Sequence, residues 1–290
     1  MSSDPDSIRF RSVDGIELHA LHWKPDPSPP SSTRDRDDVP VILLHGGGAN
    51  AHWWDHLAPR IANRRDVYAL DFRGHGDSDH PTERFVGAFN VDLESLLAWL
   101  GRSDAILVGH SMGAAVALDH ASRVSATRGI GLVDLARGGT RGGGRRARLA
   151  LSLRRTYRTR AEAVERFRFL PESSHATEEL RLSIAGNSVR CEPDGRYGYK
   201  FDPGWFGLPP RPRPDLRGVG CPVLLVRGGE SNLLSREAAR AFVAELVDGQ
   251  LIEIPHAGHH VLLDRPDELT AALAGFLDRI DSTRGAPEKT

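Results

Sequence analysis

Apolar residues gather in short blocks along this chain, and the blocks are of two kinds. Ile8 to Val13 and Ile16 to Trp23 alternate apolar and polar positions on either side of Asp14-Gly15. That dipeptide tolerates the positive φ angles of a tight turn, so the segment predicts a β-hairpin. Beyond it, Val39 to Leu44, Val67 to Leu70, Ala105 to Val108, Ile130 to Val133, Pro222 to Val226 and Leu251 to Ile254 are unbroken runs rich in Val, Ile and Leu. Short continuous runs of this kind suit strands buried on both faces of a parallel sheet. Asp92 to Leu100, Ala114 to Val124, Arg236 to Leu246 and Pro266 to Ile280 are the helical stretches between and after them. The pattern predicts a doubly wound α/β architecture, a mostly parallel eight-stranded sheet with helices on both faces.

The alternation breaks once. Between Val133 and Pro222 no buried-strand signal occurs, and the stretch contains helical pieces at Ala147 to Arg158 and Ala161 to Phe169. An insertion of that size predicts a helical cap, or lid, after the sixth strand, over 137–215. The core is then 8–136 with 216–280, and 1–7 and 281–290 are flexible termini. The proline-rich, charged run 25–38 cannot bury apolar surface and reads as a mobile surface loop.

Charge removes several function classes. Thirty-eight Lys and Arg stand against 39 Asp and Glu, a net charge of -1, so no overall field draws the molecule to nucleic acid or to a membrane surface. Cys191 and Cys221 are too few for a disulfide scaffold and lack the paired spacing of a zinc site. No signal-peptide pattern opens the chain and no apolar run reaches membrane-spanning length. These features predict a cytoplasmic protein without metal or nucleotide cofactor, acting on a small molecule. Nothing in the sequence fixes an oligomeric state.

The strongest chemical signal is Gly109-His110-Ser111-Met112-Gly113, set between the strand at Ala105 to Val108 and the helix that follows. A serine at the apex of so sharp a strand–turn–helix needs glycine two positions away on both sides. Serine attacks a carbonyl only when a base takes its proton, and that base must be held by a third group. Of thirteen histidines, His45 opens a glycine loop, His75 lies in a turn and His110 points away from its neighbour Ser111. Pro255-His256-Ala257-Gly258-His259-His260 follows the last strand, at the same sheet edge as Ser111. Gly258 lets the next side chain turn inward, which favours His259 over His256 and His260.

With these residues the sequence resembles the α/β-hydrolase superfamily over about 8–280, in the same element order. His45-Gly46-Gly47-Gly48 resembles that superfamily's oxyanion loop, Asp71 to Ser78 its turn after the fourth strand, and Gly258-His259 its histidine loop. The resemblance, and the physics of the turn, make the backbone N–H groups of Gly47 and Met112 the oxyanion donors. The glycine loop lacks a Gly-Lys-Ser ending and Gly-x-Gly-x-x-Gly spacing, which sets nucleotide binding aside.

The acid departs from the common pattern. Most relatives carry an aspartate three residues beyond a glycine after the seventh strand, and here Ser231 stands in that place, with Glu230 one position early. Asp134 closes the sixth strand, 23 residues beyond Ser111, where some branches of the superfamily carry their acid. Asp134 is the favoured orienting acid and Glu230 the alternative.

Trp53, Trp54 and Trp205, with Phe169, Tyr197, Tyr199 and Phe206, are candidates to line an apolar pocket. Arg137 to Arg168 holds eleven arginines and two acids, which would let a cationic lid select anionic acids or lactones, or simply form a solvated face. The expected activity is hydrolysis of a small ester or lactone through an acyl-enzyme. The alternatives are carbon–carbon bond hydrolysis of a β-diketone or acyl transfer with the same residues, and, outside the enzymes, a small-molecule receptor. Serine as nucleophile argues against the epoxide-hydrolase and dehalogenase branches, whose chemistry needs a carboxylate there.

Overall fold

The computed structural model describes residues 4–25, 39–62, 64–136, 148–172, 175–209 and 212–284. Strands β1 (Asp6–Arg11) and β2 (Glu17–Trp23) pair antiparallel from Asp6 opposite His22 to Arg11 opposite Glu17. The hairpin closes over Val13 to Gly15 and not over two residues, because Ser12 builds the turn. Its N–H donates to the Ile16 carbonyl at 2.8 Å, and its hydroxyl donates to Asp14 and accepts from the Ile16 N–H.

The six apolar runs become β3 (Val41–Leu44), β4 (Val67–Asp71), β5 (Ile106–His110), β6 (Gly129–Val133), β10 (Val223–Gly228) and β11 (Gly249–Ile254). With the hairpin they form one eight-stranded sheet in the order β1-β2-β4-β3-β5-β6-β10-β11. The β1–β2 and β2–β4 pairs are antiparallel, and every pair from β4 to β11 is parallel. Alternate side chains feed two cores: Val41 and Leu43 of β3 join one cluster, Ile42 and Leu44 the other. The first is covered by α1 (Ala58–Ile61), α7 (Val261–Asp264) and α8 (Pro266–Arg284), the second by α2 (Ala88–Trp99), α3 (Met112–Ala121) and α6 (Arg236–Ala244). Such a sheet gathers the carboxyl ends of its parallel strands along one edge, where ligands of open α/β sheets bind.

The insertion after β6 is not wholly helical. Besides α4 (Arg160–Glu165) and α5 (Glu178–Asn187), it contains a three-stranded antiparallel sheet of β7 (Thr156–Tyr157), β9 (Tyr197–Tyr199) and β8 (Val189–Cys191). The helix expected to run to Arg158 gives way to β7, where Thr156 and Tyr157 are β-branched and aromatic and pair with Gly198 and Tyr197. The insertion is tied to the core at the turn after β4, where Gly76 donates to the Lys200 carbonyl at 2.7 Å and Asp202 to that of Gly74 at 2.8 Å.

Two expected flexible ends are shorter than anticipated. Residues 6–7 belong to β1, held by pairing with β2, and 281–284 continue α8, where Asp281 pairs with Arg64 and Arg65. The expected loop at 26–38, the glycine-arginine run at 137–147, and residues 1–3 and 285–290 lie outside the described residues. Among the described residues no helix is long and apolar enough to cross a membrane.

Candidate active site

Ser111, Asp134 and His259 come from three different strand ends and meet at one edge of the sheet. Ser111 follows β5 directly, with φ 52° and ψ −107°, a strained turn held by its N–H to the Val133 carbonyl at 3.0 Å. Asp134 follows β6, also at positive φ (46°), and its N–H bonds the Val226 carbonyl at 2.7 Å. His259 lies in the loop after β11. Its Nε2 is 2.9 Å from Ser111 Oγ and its Nδ1 is 2.7 Å from Asp134 Oδ2. Asp134 is wholly buried and His259 nearly so, which keeps water from competing for the contact between them, while Ser111 is only partly buried and stays open to the cavity.

Ser231, which stands where the expected pattern has an aspartate, hydrogen-bonds to Asp134. Its hydroxyl donates to Asp134 Oδ2 at 2.5 Å and accepts the N–H groups of Leu233 and Leu234, while the Gly228 N–H donates to Asp134 Oδ1 at 3.1 Å. The carboxylate thus accepts from a hydroxyl and a backbone amide as well as facing the imidazole. Glu230, the alternative acid, is not part of this arrangement. Its backbone N–H bonds the Ala257 carbonyl, and its half-exposed carboxylate faces His175 and His256, each at 3.4 Å. The hydrogen bond to His175 holds its pKa below the ordinary glutamate value. Only Ser231's place in the pattern hinted at its role.

Other histidines pack around His259. His110 Nε2 lies 3.0 Å from the His259 carbonyl, and His260 Nε2 lies 2.8 Å from that of Pro171. Burial lowers the pKa of both, His260 to about 3, with His259 acting in the same direction. Both stay neutral at ordinary pH. Because the folded pKa of His260 lies below the unfolded value of about 6.5, the unfolded chain binds the extra proton, so stability is full above that pH and is lost as pH falls towards 3. Between pH 7 and pH 5 His260 alone is expected to cost about 2 kcal/mol. Urea unfolding at the two pH values checks this: His260→Phe should lose about 2 kcal/mol less than wild type over the interval, and equal losses would refute it.

The Asp71 to Ser78 turn is an anchor behind the site. Asp71 is buried; burial opposes its ionisation, but hydrogen bonding to His19 holds its pKa at about 2. Its oxygens take His19 Nδ1 at 2.7 Å and the N–H groups of Ala51 and Asp77 at 2.7 and 3.0 Å. One carboxylate thereby joins β2, the segment after the glycine loop and the β4 turn.

A cavity of about 290 Å³ opens onto Ser111, His259 and Gly47. Met112, the other expected donor, lines it as the first residue of α3, where the helix presents free N–H groups and the positive end of its dipole. Side chains of the insertion lie over the glycine loop: a Cβ on Gly47 would be 2.8 Å from Phe206, and one on Gly48 would be 2.6 Å from Leu151. Trp53 lines the cavity. Trp54 does not: it is fully buried in the core beneath, so that expectation is corrected by its packing against the sheet. Trp205 lines a neighbouring cavity instead. Among the described arginines of 137–168, Arg148 reaches the Ser111 cavity, and its guanidinium is engaged by the carbonyls of Phe206 and Leu208.

Two sets of metal-ligating side chains lie close together among the described residues, His110 with His259 and His260, and His19 with Asp71 and Asp77. In the first, both nitrogens of His259 and one of each neighbour already face protein partners; in the second, His19 and the Asp77 N–H are bonded to Asp71.

The chain matches the family model for the alpha/beta hydrolase family over residues 41–273, and it belongs to that family of enzymes. It is 26% identical over 257 residues to the sn-1-specific diacylglycerol lipase ABHD11 of Mus musculus, covering 82% of this chain and 80% of that protein. It is also 26% identical over 274 residues to 2-(acetamidomethylene)succinate hydrolase of Mesorhizobium japonicum, covering 85% and 91%. Among solved structures, an alpha/beta hydrolase from Novosphingobium aromaticivorans superposes with a TM-score of 0.78 at 25% identity, over 96% of this chain and 99% of that one.

Proposed function

We propose that this enzyme is a serine hydrolase of carboxylic esters or lactones that works through an acyl-enzyme. The observation that carries the reading is the line of contacts from Ser111 Oγ to His259 Nε2 at 2.9 Å and from His259 Nδ1 to Asp134 at 2.7 Å. In it, Ser111 Oγ attacks the carbonyl carbon while His259 Nε2 takes the hydroxyl proton. The oxygen that becomes negative is held by the N–H groups of Gly47 and Met112, each worth about 3 kcal/mol in the transition state. Collapse breaks the bond to the alcohol, which leaves with the proton from His259. Water then adds to the acyl group, again giving its proton to His259, and the acid departs as Ser111 regains its hydrogen. Asp134 fixes the imidazole tautomer and stabilises the imidazolium. The insertion serves as the cap, since Leu151 and Phe206 cover the glycine loop.

A fluorophosphonate probe tests this directly. Mass spectrometry is expected to find one adduct, on Ser111, with no labelling of Ser111→Ala. A panel of esters, lactones and β-diketones should be turned over by wild type alone, with the esters or lactones preferred. An unlabelled wild type that still binds panel members would make the protein a receptor, and preference for the diketones would make it a carbon–carbon hydrolase.

A further inference from the structure

Beside the Ser111 cavity lies a larger one of about 510 Å³ whose walls are mostly apolar, among them Phe89, Val116, Leu118, Trp205, Leu208 and Pro209. Four residues, Met112, Ala115, Leu135 and Ala136, line both cavities, so the two share one partition. The partition follows the helix geometry. Met112, Ala115, Val116 and Asp119 recur at the spacing that places side chains on one face of α3, and this face runs from the nucleophile into the larger chamber. At its head stands Met112, an unbranched, adaptable side chain, and next along is the small Ala115, so the partition between the two cavities is thin and adaptable there. The Ser111 cavity alone sits at the low end of the size range for small-molecule sites, about 300–1,000 Å³, and the pair falls well within it.

We infer that the larger chamber seats the acyl chain of the substrate, and that the substrate class is an ester of an unbranched, apolar, medium-length carboxylic acid. The inference rests on the serine-hydrolase reading and adds direction to it. The leaving alcohol must lie beside His259, which protonates it, and His259 lines the smaller cavity and not the larger. The acyl carbon is joined to Ser111 at the head of α3, so its tail has the α3 face to follow. Phe85 and Val86, over a third exposed at the outer wall, extend the apolar surface to solvent.

The test is a series of p-nitrophenyl esters from acetate to octanoate, run on wild type, Leu208→Trp and Pro209→Trp, which add bulk at two neighbouring positions of the chamber wall. In wild type kcat/KM is expected to rise about fourfold per added methylene through the middle of the series. In either filled variant the octanoate-to-acetate ratio should fall at least about tenfold relative to wild type. A flat wild-type series, ratios unmoved in both variants, or a gain that follows the alcohol in a matched series of alkyl acetates would overturn the assignment. Should wild type hydrolyse no ester through Ser111, the hydrolase reading fails on its own. Calorimetric binding of decanoate to Ser111→Ala then tests the chamber separately. Binding weakened about tenfold by Leu208→Trp supports the chamber, and absent or unchanged binding removes it.

Discussion

Asp134→Ala is expected to lower kcat by about 10⁴-fold on any ester that wild type hydrolyses, and Glu230→Ala to leave turnover near wild type. The size of the first effect follows from what the carboxylate holds. His259 Nδ1 loses its partner at 2.7 Å, so the imidazole no longer keeps the tautomer that leaves Nε2 free to accept from Ser111. Removing Asp134 also strands the Ser231 hydroxyl and the Gly228 N–H inside the protein, at about 1–3 kcal/mol for each unsatisfied group. The variant should therefore be less stable as well as slow. The same geometry gives a rescue: Ser231 Oγ already lies 2.5 Å from the oxygen that faces His259, so Ser231→Asp in the Asp134→Ala background returns a carboxylate to that neighbourhood. It is expected to recover at least about tenfold of the lost rate, whereas in wild type the same change crowds two carboxylates together and lowers activity. Steady-state kinetics on a p-nitrophenyl ester decide the matter. An active Asp134→Ala beside an inactive Glu230→Ala would move the orienting acid out of this site.

That arrangement shows how far the sequence could be read. All six buried runs were visible because a strand covered on both faces must be continuously apolar, and Val41 to Leu44 divides its side chains between two cores as that logic requires. The strained turn at Ser111 was legible because it demands glycine at 109 and 113, and the choice of histidine rested on one glycine before it. The acid was open between two carboxylates because the contact that favours Asp134, from His259 Nδ1 to its Oδ2, joins residues 125 apart in the chain. Local pattern carries no information about which loops touch. The small sheet of the insertion was missed for a different reason. Its strands are two or three residues long and partly exposed, so they show neither an apolar run nor an alternation. Trp54 was misplaced because an aromatic after a glycine loop suits a pocket wall and a core equally well, and only packing separates them.

Two glycine substitutions are expected to move stability in opposite directions. Gly113→Ala should lower the free energy of unfolding by at least about 3 kcal/mol, a large share of the 5–15 kcal/mol typical of a folded protein. A Cβ at 113 would press into the Leu44 carbonyl, standing 2.6 Å from its carbon and 2.8 Å from the His45 oxygen. All of these are backbone atoms of β3 and the start of the glycine loop, so no side chain can swing aside. α3 and β3 would have to part, and with them Met112 and Gly47, the two proposed oxyanion donors. Gly109→Ala meets a second backbone wall, the start of α3, since its Cβ would lie 2.5 Å from the Ala114 nitrogen. Gly275, an exposed helical residue of α8, has nothing within 4 Å of where a Cβ would go. Gly275→Ala should therefore stabilise by about 0.5–1 kcal/mol, by removing freedom from the unfolded chain. Urea midpoints measured on both variants separate close packing from a general intolerance of alanine. If Gly113→Ala unfolds with the wild-type midpoint, α3 does not pack against the glycine loop as closely as the mechanism requires.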